Sequence, residues 1–298
     1  MRFQRPSIRC SLGIRNLEFS SSSGHSLSRS SLEGRYRYRF PLTLDGSNSD
    51  GKPYDKYQQE AENSTAHRNS PLNCIKNGKI LKNSYLTEAL DIVVAPAFTS
   101  LAVLRDRIEK SGIKLAGQNI GQEIGGSLTG EISATMLKDA GCSYVLLGHS
   151  ERRQYFAETD EIVNKKISIA CNQGLNIIFC VGESLVERNN GRTNEIIEAQ
   201  LSSGLANLNL IQLSQLAIAY EPVWAIGTGH TATPDQAQDV HLYIRAWVRK
   251  LFGTNFAEST RILYGGSVKP ETSKSLMNQS DIDGLLVGKA SLKIREFC

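Results

Sequence analysis

Residues 144–153 read YVLLGHSERR, an apolar run that stops at a glycine and is followed directly by polar and charged residues. Similar runs, bounded by Gly, Pro or polar residues, recur along the chain from about residue 90; with the quoted one they are Ile92–Ala95, Lys114–Gln118, Tyr144–Gly148, Asn176–Val181, Leu216–Glu221, Arg261–Tyr264 and Gly284–Gly288. Between them lie stretches with helical spacing of apolar residues, such as Leu101, Leu104 and Ile108. Apolar strands that alternate with helices predict an α/β fold in which helices cover a parallel sheet.

Seven strands of this kind favour a (β/α)8 barrel over an open Rossmann sheet, provided that one more strand precedes them. The upstream candidate is Leu72–Lys76, which has the sequence of a weak strand. In such a barrel, chemistry lies where strands end and the following loops begin. We therefore expect functional side chains directly after the apolar runs.

Composition, charge and cysteine content exclude several classes of protein. Hydrophobic residues make up 40% of the 298-residue chain, which is normal for a folded domain, and the longest apolar stretches are too short to span a bilayer. The net charge is +4, but residues 1–40 carry eight Arg and two Glu, so the remainder is slightly acidic and gives no reason to expect nucleic-acid binding. The six Cys include no CxxC pair, which favours reduced thiols over a disulfide framework or a metal site.

The first 40 residues also hold ten Ser and no apolar core segment. Such Arg-rich, Ser-rich composition is typical of a transit peptide for a plastid or mitochondrion and excludes a secretory signal; the alternative is a disordered tail or untranslated sequence. Residues 41–70 are almost wholly polar and predict a linker. We thus expect a disordered leader over 1–70 and the barrel over 71–298. The protein is expected in the cytoplasm, or in the plastid stroma or mitochondrial matrix if the leader is a true transit peptide.

The residues at the predicted strand ends point to proton transfer. His149 follows Gly148, and Glu221 ends the sixth strand. A carboxylate and a histidine on one rim supply a general base and an electrophile for chemistry beside a carbonyl. Glycine-containing turns after strands seven and eight are where a barrel binds phosphate. Together they predict proton shuttling on a small phosphorylated carbonyl compound, although each alone is also typical of a structural histidine, an ion-paired glutamate or a tight turn.

Seven sequence blocks, in order along the chain, make the pattern specific: TGEIS (129–133), LLGHSERR (146–153), CVGE (180–183), AYEPVWAIGTG (219–229), TATP (231–234), YGGSV (264–268) and DGLLVGKASL (283–292). This set resembles the triose-phosphate isomerase family, over about residues 90–292. The resemblance implies a TIM barrel that interconverts glyceraldehyde 3-phosphate and dihydroxyacetone phosphate, as in glycolysis and gluconeogenesis. It further implies a homodimer that acts on a small phosphorylated triose without cofactor or metal.

The resemblance also implies roles for individual residues. Glu221 matches the family's base and His149 its neutral electrophile, while Pro222 to Ala232 matches a mobile lid that protects the enediolate. The phosphate-binding positions match Gly227, Ser267, Gly288 and the backbone of Lys289. Glu151 matches a second carboxylate of the active-site floor, and Thr129, in the loop Gly126–Gly130, matches the residue that enters the partner's site.

The chain departs from the family pattern near both ends. The family's first strand carries N-W-K-M-N, whereas the nearest match here is Asn73-Cys-Ile-Lys-Asn77, so Ile75 takes the place of the substrate-binding lysine and Lys76 points the other way unless a bulge intervenes. Asn73, together with Lys76 if such a bulge turns its side chain towards the site, is the candidate substrate-binding residue of that strand.

The chain also ends seven residues after Ser291, which predicts a truncated last helix. The alternative to an active isomerase is a catalytically impaired triose-phosphate-binding paralogue, or a misassembled or spliced variant. Two further replacements are Lys289 for a family glycine and His230 for a hinge lysine.

Overall fold

The computed structural model describes residues 7–11, 90–226 and 231–292. Eight parallel strands close into a barrel in which each strand pairs with its neighbours along the chain, and the last pairs with the first. The strands are β1 Ser7–Ser11, β2 Leu90–Val94, β3 Lys114–Gly117, β4 Cys142–Leu147, β5 Asn176–Val181, β6 Leu216–Tyr220, β7 Arg261–Tyr264 and β8 Gly284–Val287. The TIM barrel predicted from the sequence is confirmed.

The first strand differs from the sequence expectation. The structure places Ser7–Ser11 between β2 and β8, with Ile8 opposite both Asp91 and Gly284. These five residues belong to the segment 1–70 that the sequence predicts to be a leader, whereas Leu72–Lys76 lies outside the described residues. Backbone hydrogen bonding explains how a segment with little apolar content can take this position: strands β2 and β8 both present backbone groups that need a partner, and any extended segment supplies them.

Nine α-helices lie in the described part of the chain: α1 Leu101–Ile108, α2 Ala134–Asp139, α3 Ser150–Tyr155, α4 Asp160–Asn172, α5 Leu185–Asn189, α6 Thr193–Gly204, α7 Pro234–Phe252, α8 Thr254–Ser259 and α9 Pro270–Met277. Short 3₁₀ helices are Phe98–Ser100, Val223–Ala225 and Lys289–Leu292. The start of α7 shows why these helices begin where they do. Thr233 Oγ1 accepts the backbone N–H of Gln236, whose side chain accepts the backbone N–H of Thr233, and Pro234 fixes the first helical residue.

Alternation along the strands divides the core into two parts. One set of buried side chains fills the interior of the barrel, where small residues such as Ala116 and Ala219 leave room for Leu146 and Ile178. The other set packs between the sheet and the helices; its members include Leu104, Leu137, Ile167, Leu201 and Ile244. Among the described helices, none combines the length and apolar character needed to cross a bilayer.

An ion cluster crosses the barrel at the end where strands begin. Asp91, near the start of β2, accepts from Lys114 at the start of β3 over 2.8 Å and pairs with Arg261 at the start of β7 over 2.8 Å. Burial opposes ionisation of Asp91, yet the two cations outweigh it and lower the pKa of the carboxyl group. The Asp91–Arg261 pair therefore links β2 to β7, although strands β8 and β1 lie between them in the closed barrel.

Candidate active site

The predicted base and electrophile meet at the end of the barrel where strands finish. His149 comes one residue after Gly148 at the end of β4, and Glu221 directly follows β6. His149 Nε2 lies 3.0 Å from Glu221 Oε1, and the Glu221 side chain is only 2% exposed. The two residues are far apart in the sequence, but they are in contact because β4 and β6 are parallel and end on the same rim of the barrel.

The neighbouring Ser150 holds the Glu221 carboxylate on its other side. The backbone N–H of Ser150 donates to Glu221 Oε2 over 3.0 Å, and its hydroxyl donates to Oε1 over 3.4 Å. Ser150 belongs to the LLGHSERR block, but it is not one of the predicted site residues. Its contact with Glu221 joins residues 71 positions apart, so local sequence alone does not reveal it.

The tautomer of His149 follows from its place at the N-terminus of α3. His149 is the N-cap residue, and its Nδ1 accepts the backbone N–H of Glu151 over 3.3 Å. With Nδ1 occupied as an acceptor, the proton of the neutral ring is on Nε2 and faces Glu221. Burial lowers the pKa of His149, but the charge of the Glu221 carboxylate outweighs it and raises the pKa while the two groups are paired.

Glycine is required where the loop after β7 passes this pair. A Cβ at Gly265 would stand 2.9 Å from Cγ of Glu221, and one at Gly266 would stand 2.2 Å from the hydroxyl of Tyr264. Neither position tolerates a larger side chain without displacing its neighbours. Ser267, which is half-buried, follows in the same loop.

The other predicted site residues occupy different environments. Gly288 and Lys289 are exposed directly after β8, and Thr129 lies in an exposed loop. The Glu151 side chain is half exposed, with Oε2 3.9 Å from His149 Nδ1. Asn73, Lys76, Gly227 and His230 lie outside the described residues.

A second buried carboxylate anchors the segment that follows Glu221. Glu183 is fully buried after β5, and its Oε1 accepts from Trp224 Nε1 over 2.9 Å, from the Tyr220 hydroxyl over 3.1 Å and from Arg188 over 3.1 Å. The Arg188 guanidinium also lies 4.5 Å from the centre of the Trp224 ring. Glu183 belongs to the CVGE block, but its position in the sequence does not reveal this role. The structure shows that it fixes the start of the predicted lid.

Polar contacts also connect α3 to the body of the barrel. Arg152 and Lys166 both hydrogen-bond Oε1 of Glu158, and Lys166 Nζ donates to Oδ1 of Asn119 over 2.9 Å. Burial lowers the pKa of Lys166, and the Glu158 carboxylate opposes that shift. Because Asn119 follows β3 and Arg152 lies in α3, the network supports the helix whose N-cap is His149.

Comparison with known proteins agrees with this geometry. A family model described as Triosephosphate isomerase matches residues 65–298. A triosephosphate isomerase from Geobacter metallireducens is 54% identical over 211 residues, which are 71% of this chain and 84% of that relative. One from Endomicrobium trichonymphae is 55% identical over 208 residues, 70% of this chain and 83% of that relative, and one from Trichlorobacter lovleyi is 53% identical over 208 residues, with the same shares. The range matched by the family model contains strands β2 to β8 and the segment 72–76.

Proposed function

The chain belongs to the triosephosphate isomerase family and is an isomerase, and on that premise we propose that Glu221 and His149 interconvert glyceraldehyde 3-phosphate and dihydroxyacetone phosphate through an enediolate. The observation that carries the proposal is the 3.0 Å contact between His149 Nε2 and Glu221 Oε1 on the rim of the barrel. A base and a hydrogen-bond donor this close can act on adjacent atoms of one small substrate.

The proposed reaction moves one proton between neighbouring carbons. Glu221 removes a proton from C1 of dihydroxyacetone phosphate, and the electrons of that C–H bond form the C1–C2 double bond. The carbonyl electrons move onto O2, where the Nε2–H of His149 stabilises the developing charge. Glu221 then returns its proton to C2, the proton of O1 is transferred to O2, and the electrons of the O1–H bond form the C1=O double bond, which gives the aldehyde with a hydroxyl group on C2.

Three donors orient the Glu221 carboxylate before substrate binds. Its carboxylate faces the Nε2–H of His149 and both donors of Ser150. Hydrogen bonds to both oxygens hold the carboxylate in one orientation, which is what a general base that reaches a carbon-bound proton needs. A substrate carbonyl that enters between Glu221 and His149 takes over the His149 donor and leaves the carboxylate free to accept a proton.

For the phosphate we propose Ser267, Gly227 and the backbone at Gly288 and Lys289. Ser267 and Gly288 follow neighbouring strands β7 and β8 on the rim that holds Glu221. Backbone N–H groups and a hydroxyl suit a phosphate dianion in such a loop pair. Asn73 and Lys76 are proposed for the remaining substrate contacts.

We further propose that the protein acts as a homodimer. Exposed apolar side chains occur close to Thr129 in the sequence and at the end of α3; they are Ile124, Leu128, Met136, Tyr155 and Phe156. Exposed apolar surface of this kind favours burial against another subunit. The second copy would place Thr129 beside the neighbouring site, with Glu151 supporting His149.

The alternative of a catalytically impaired paralogue is less well supported. His149 and Glu221 are both present and in contact, and relatives that are 53–55% identical are named triosephosphate isomerase. Isomerisation is therefore the function that the residues favour.

Replacing Glu221 tests the proposal. In a coupled assay with a metal chelator present, the unchanged chain should convert glyceraldehyde 3-phosphate, and Glu221→Asp should lower kcat by roughly 10²–10³-fold, because the shortened side chain withdraws the base from the carbon-bound proton. Glu161→Asp, which changes an exposed carboxylate of α4 in the same way, should leave kcat unchanged. Full turnover in Glu221→Asp would remove Glu221 as the base.

A further inference from the structure

A second histidine, His241, is buried in the middle of α7 and takes no part in the proposed reaction. Its side chain is completely inaccessible to solvent. Nδ1 lies 3.2 Å from the carbonyl oxygen of Asp281, so Nδ1 carries the proton and donates it. Within the described residues Nε2 has no hydrogen-bond partner. A buried imidazole with one polar contact acts mainly through the shape of its ring.

The ring of His241 contacts the last residues of two strands that lead into the active site. It meets Tyr220, at the end of β6, edge to face, with centroids 5.9 Å apart and planes at 83°. It lies 6.3 Å from the centre of Tyr264, at the end of β7, with planes at 38°. Both tyrosines are almost wholly buried, so their ring positions depend on such neighbours.

Tyr264 in turn supports the loop that carries Ser267. The hydroxyl of Tyr264 fills the space that a side chain at Gly266 would occupy, at 2.2 Å from that Cβ position. A shift of the Tyr264 ring therefore moves the backbone at Gly266, directly before Ser267. Close packing transmits such shifts because interiors have few voids.

The hydrogen bond of His241 reaches the second phosphate-binding segment. Asp281 lies three residues before β8, which ends just before Gly288. Its carboxylate is held by Arg245 Nε over 2.7 Å and by Gln238 Nε2 over 2.7 Å. His241 and Arg245 lie one turn apart on α7 and both bind the same residue, so α7 fixes the start of β8.

We propose that His241 is a positioning residue for phosphate recognition, which holds the loop after β7 through Tyr264 and supports the segment before β8 through Asp281. The inference rests on the proposed function, because it takes the ligand to be the phosphate group of the substrate. The ring contact with Tyr264 is the decisive one, since Arg245 and Gln238 hold Asp281 independently. Burial lowers the pKa of His241 to about 3, so the ring is uncharged at neutral pH and acts through packing.

Three variants of the full chain separate this role from general stabilisation. His241→Asn keeps a donor near the Nδ1 position but removes the ring, whereas His241→Phe keeps a ring and removes the donor. Val248→Ala removes buried volume from the same helix, two turns further on. Calorimetric titration with inorganic phosphate measures the Kd, and kcat/KM is measured with glyceraldehyde 3-phosphate and with unphosphorylated glyceraldehyde.

We expect His241→Asn to raise the Kd of phosphate about tenfold, less than the roughly hundredfold loss that a misplacement of 1 Å can cause at a reacting group. Its kcat/KM should fall for glyceraldehyde 3-phosphate and stay unchanged for glyceraldehyde. His241→Phe and Val248→Ala should bind phosphate like the unchanged chain.

Several results would overturn the inference. One is a His241→Asn protein that binds phosphate as tightly as Val248→Ala does, and another is an equal loss of kcat/KM with both substrates. If His241→Phe does not fold, the comparison of His241→Asn with Val248→Ala still decides. An unchanged chain that binds phosphate but isomerises neither substrate would contradict the proposed function, while the titrations would still test His241.

Discussion

The chain holds the partly buried His149 and the fully buried His241 in opposite tautomers. The backbone N–H of Glu151 occupies Nδ1 of His149 and leaves its proton on Nε2, facing Glu221. The carbonyl oxygen of Asp281 instead requires the proton of His241 on Nδ1. The backbone group opposite Nδ1 therefore determines which nitrogen of each ring carries the proton, and of these two rings it is the one with the proton on Nε2 that faces Glu221.

Burial of His241 makes stability depend on pH. The pKa of this imidazole is about 3 in the folded chain because burial disfavours the charged ring, against an ordinary value of 6.5. The unfolded chain binds the extra proton between these values, so the contribution of His241 is fully present above pH 6.5 and is lost as the pH falls towards 3. We expect the free energy of unfolding to fall by up to about 1.4 kcal/mol per pH unit in that window. Urea unfolding at pH 7 and pH 5 measures it.

The matched control is His241→Phe, which has no group to protonate at this position. Its free energy of unfolding should fall less between pH 7 and pH 5 than that of the unchanged chain. Equal losses in the two proteins would show that other groups account for the whole dependence.

Residue identity pointed to the pair His149 and Glu221 but not to the residues that support it. His149 and Glu221 could be found because a histidine and a carboxylate each follow an apolar strand. Ser150 could not be assigned, since its function depends on a contact with Glu221 that only the barrel creates. The same holds for His241, which reads in the sequence as one polar residue on the face of an amphipathic helix.

At the scale of elements, β2 to β8 were predictable because each is an apolar run bounded by turn residues. The predicted bounds of β5 and β7 coincide with the observed ones, and the others differ by at most two residues; for example, β2 begins at Leu90 rather than Ile92 and so includes Asp91. The strand Ser7–Ser11 was not predictable, because its polar residues carry no hydrophobic signal and its place is defined by backbone pairing with β2 and β8.

The ion cluster between β2, β3 and β7 should contribute measurably to stability. Asp91→Asn would leave Lys114 and Arg261 facing each other without a carboxylate, and we expect the free energy of unfolding to fall by about 1–3 kcal/mol. Asp106→Asn is the matched control: Asp106 pairs with Arg105 at 3.0 Å on the exposed surface, where such pairs contribute less than about 1 kcal/mol. Chemical denaturation compares the two, and equal effects would contradict a special role of the cluster.

At the scale of the whole molecule, the exposed apolar side chains around Thr129 and at the end of α3 should determine assembly. Phe156 is 64% exposed at the end of α3, and a charge there would be costly to bury against a second copy. We expect the unchanged chain to sediment as a dimer at micromolar concentration and Phe156→Glu as a monomer with lower kcat. Ile211→Glu changes a side chain that is 86% exposed elsewhere and should remain dimeric. An active monomer of the unchanged chain would contradict the proposed dimer.

The ion pair between Asp91 and Arg261 also bears on folding kinetics. It joins the second strand to the seventh, so it can form only after most of the chain between them has folded. Contacts of such long sequence separation are slow to establish, because the entropy of closing the loop is lost first. An interaction that is absent from the transition state leaves the folding rate unchanged and slows unfolding. The pair thus forms after the transition state and slows unfolding. Its loss in Asp91→Asn would shorten the lifetime of the folded barrel without delaying its formation.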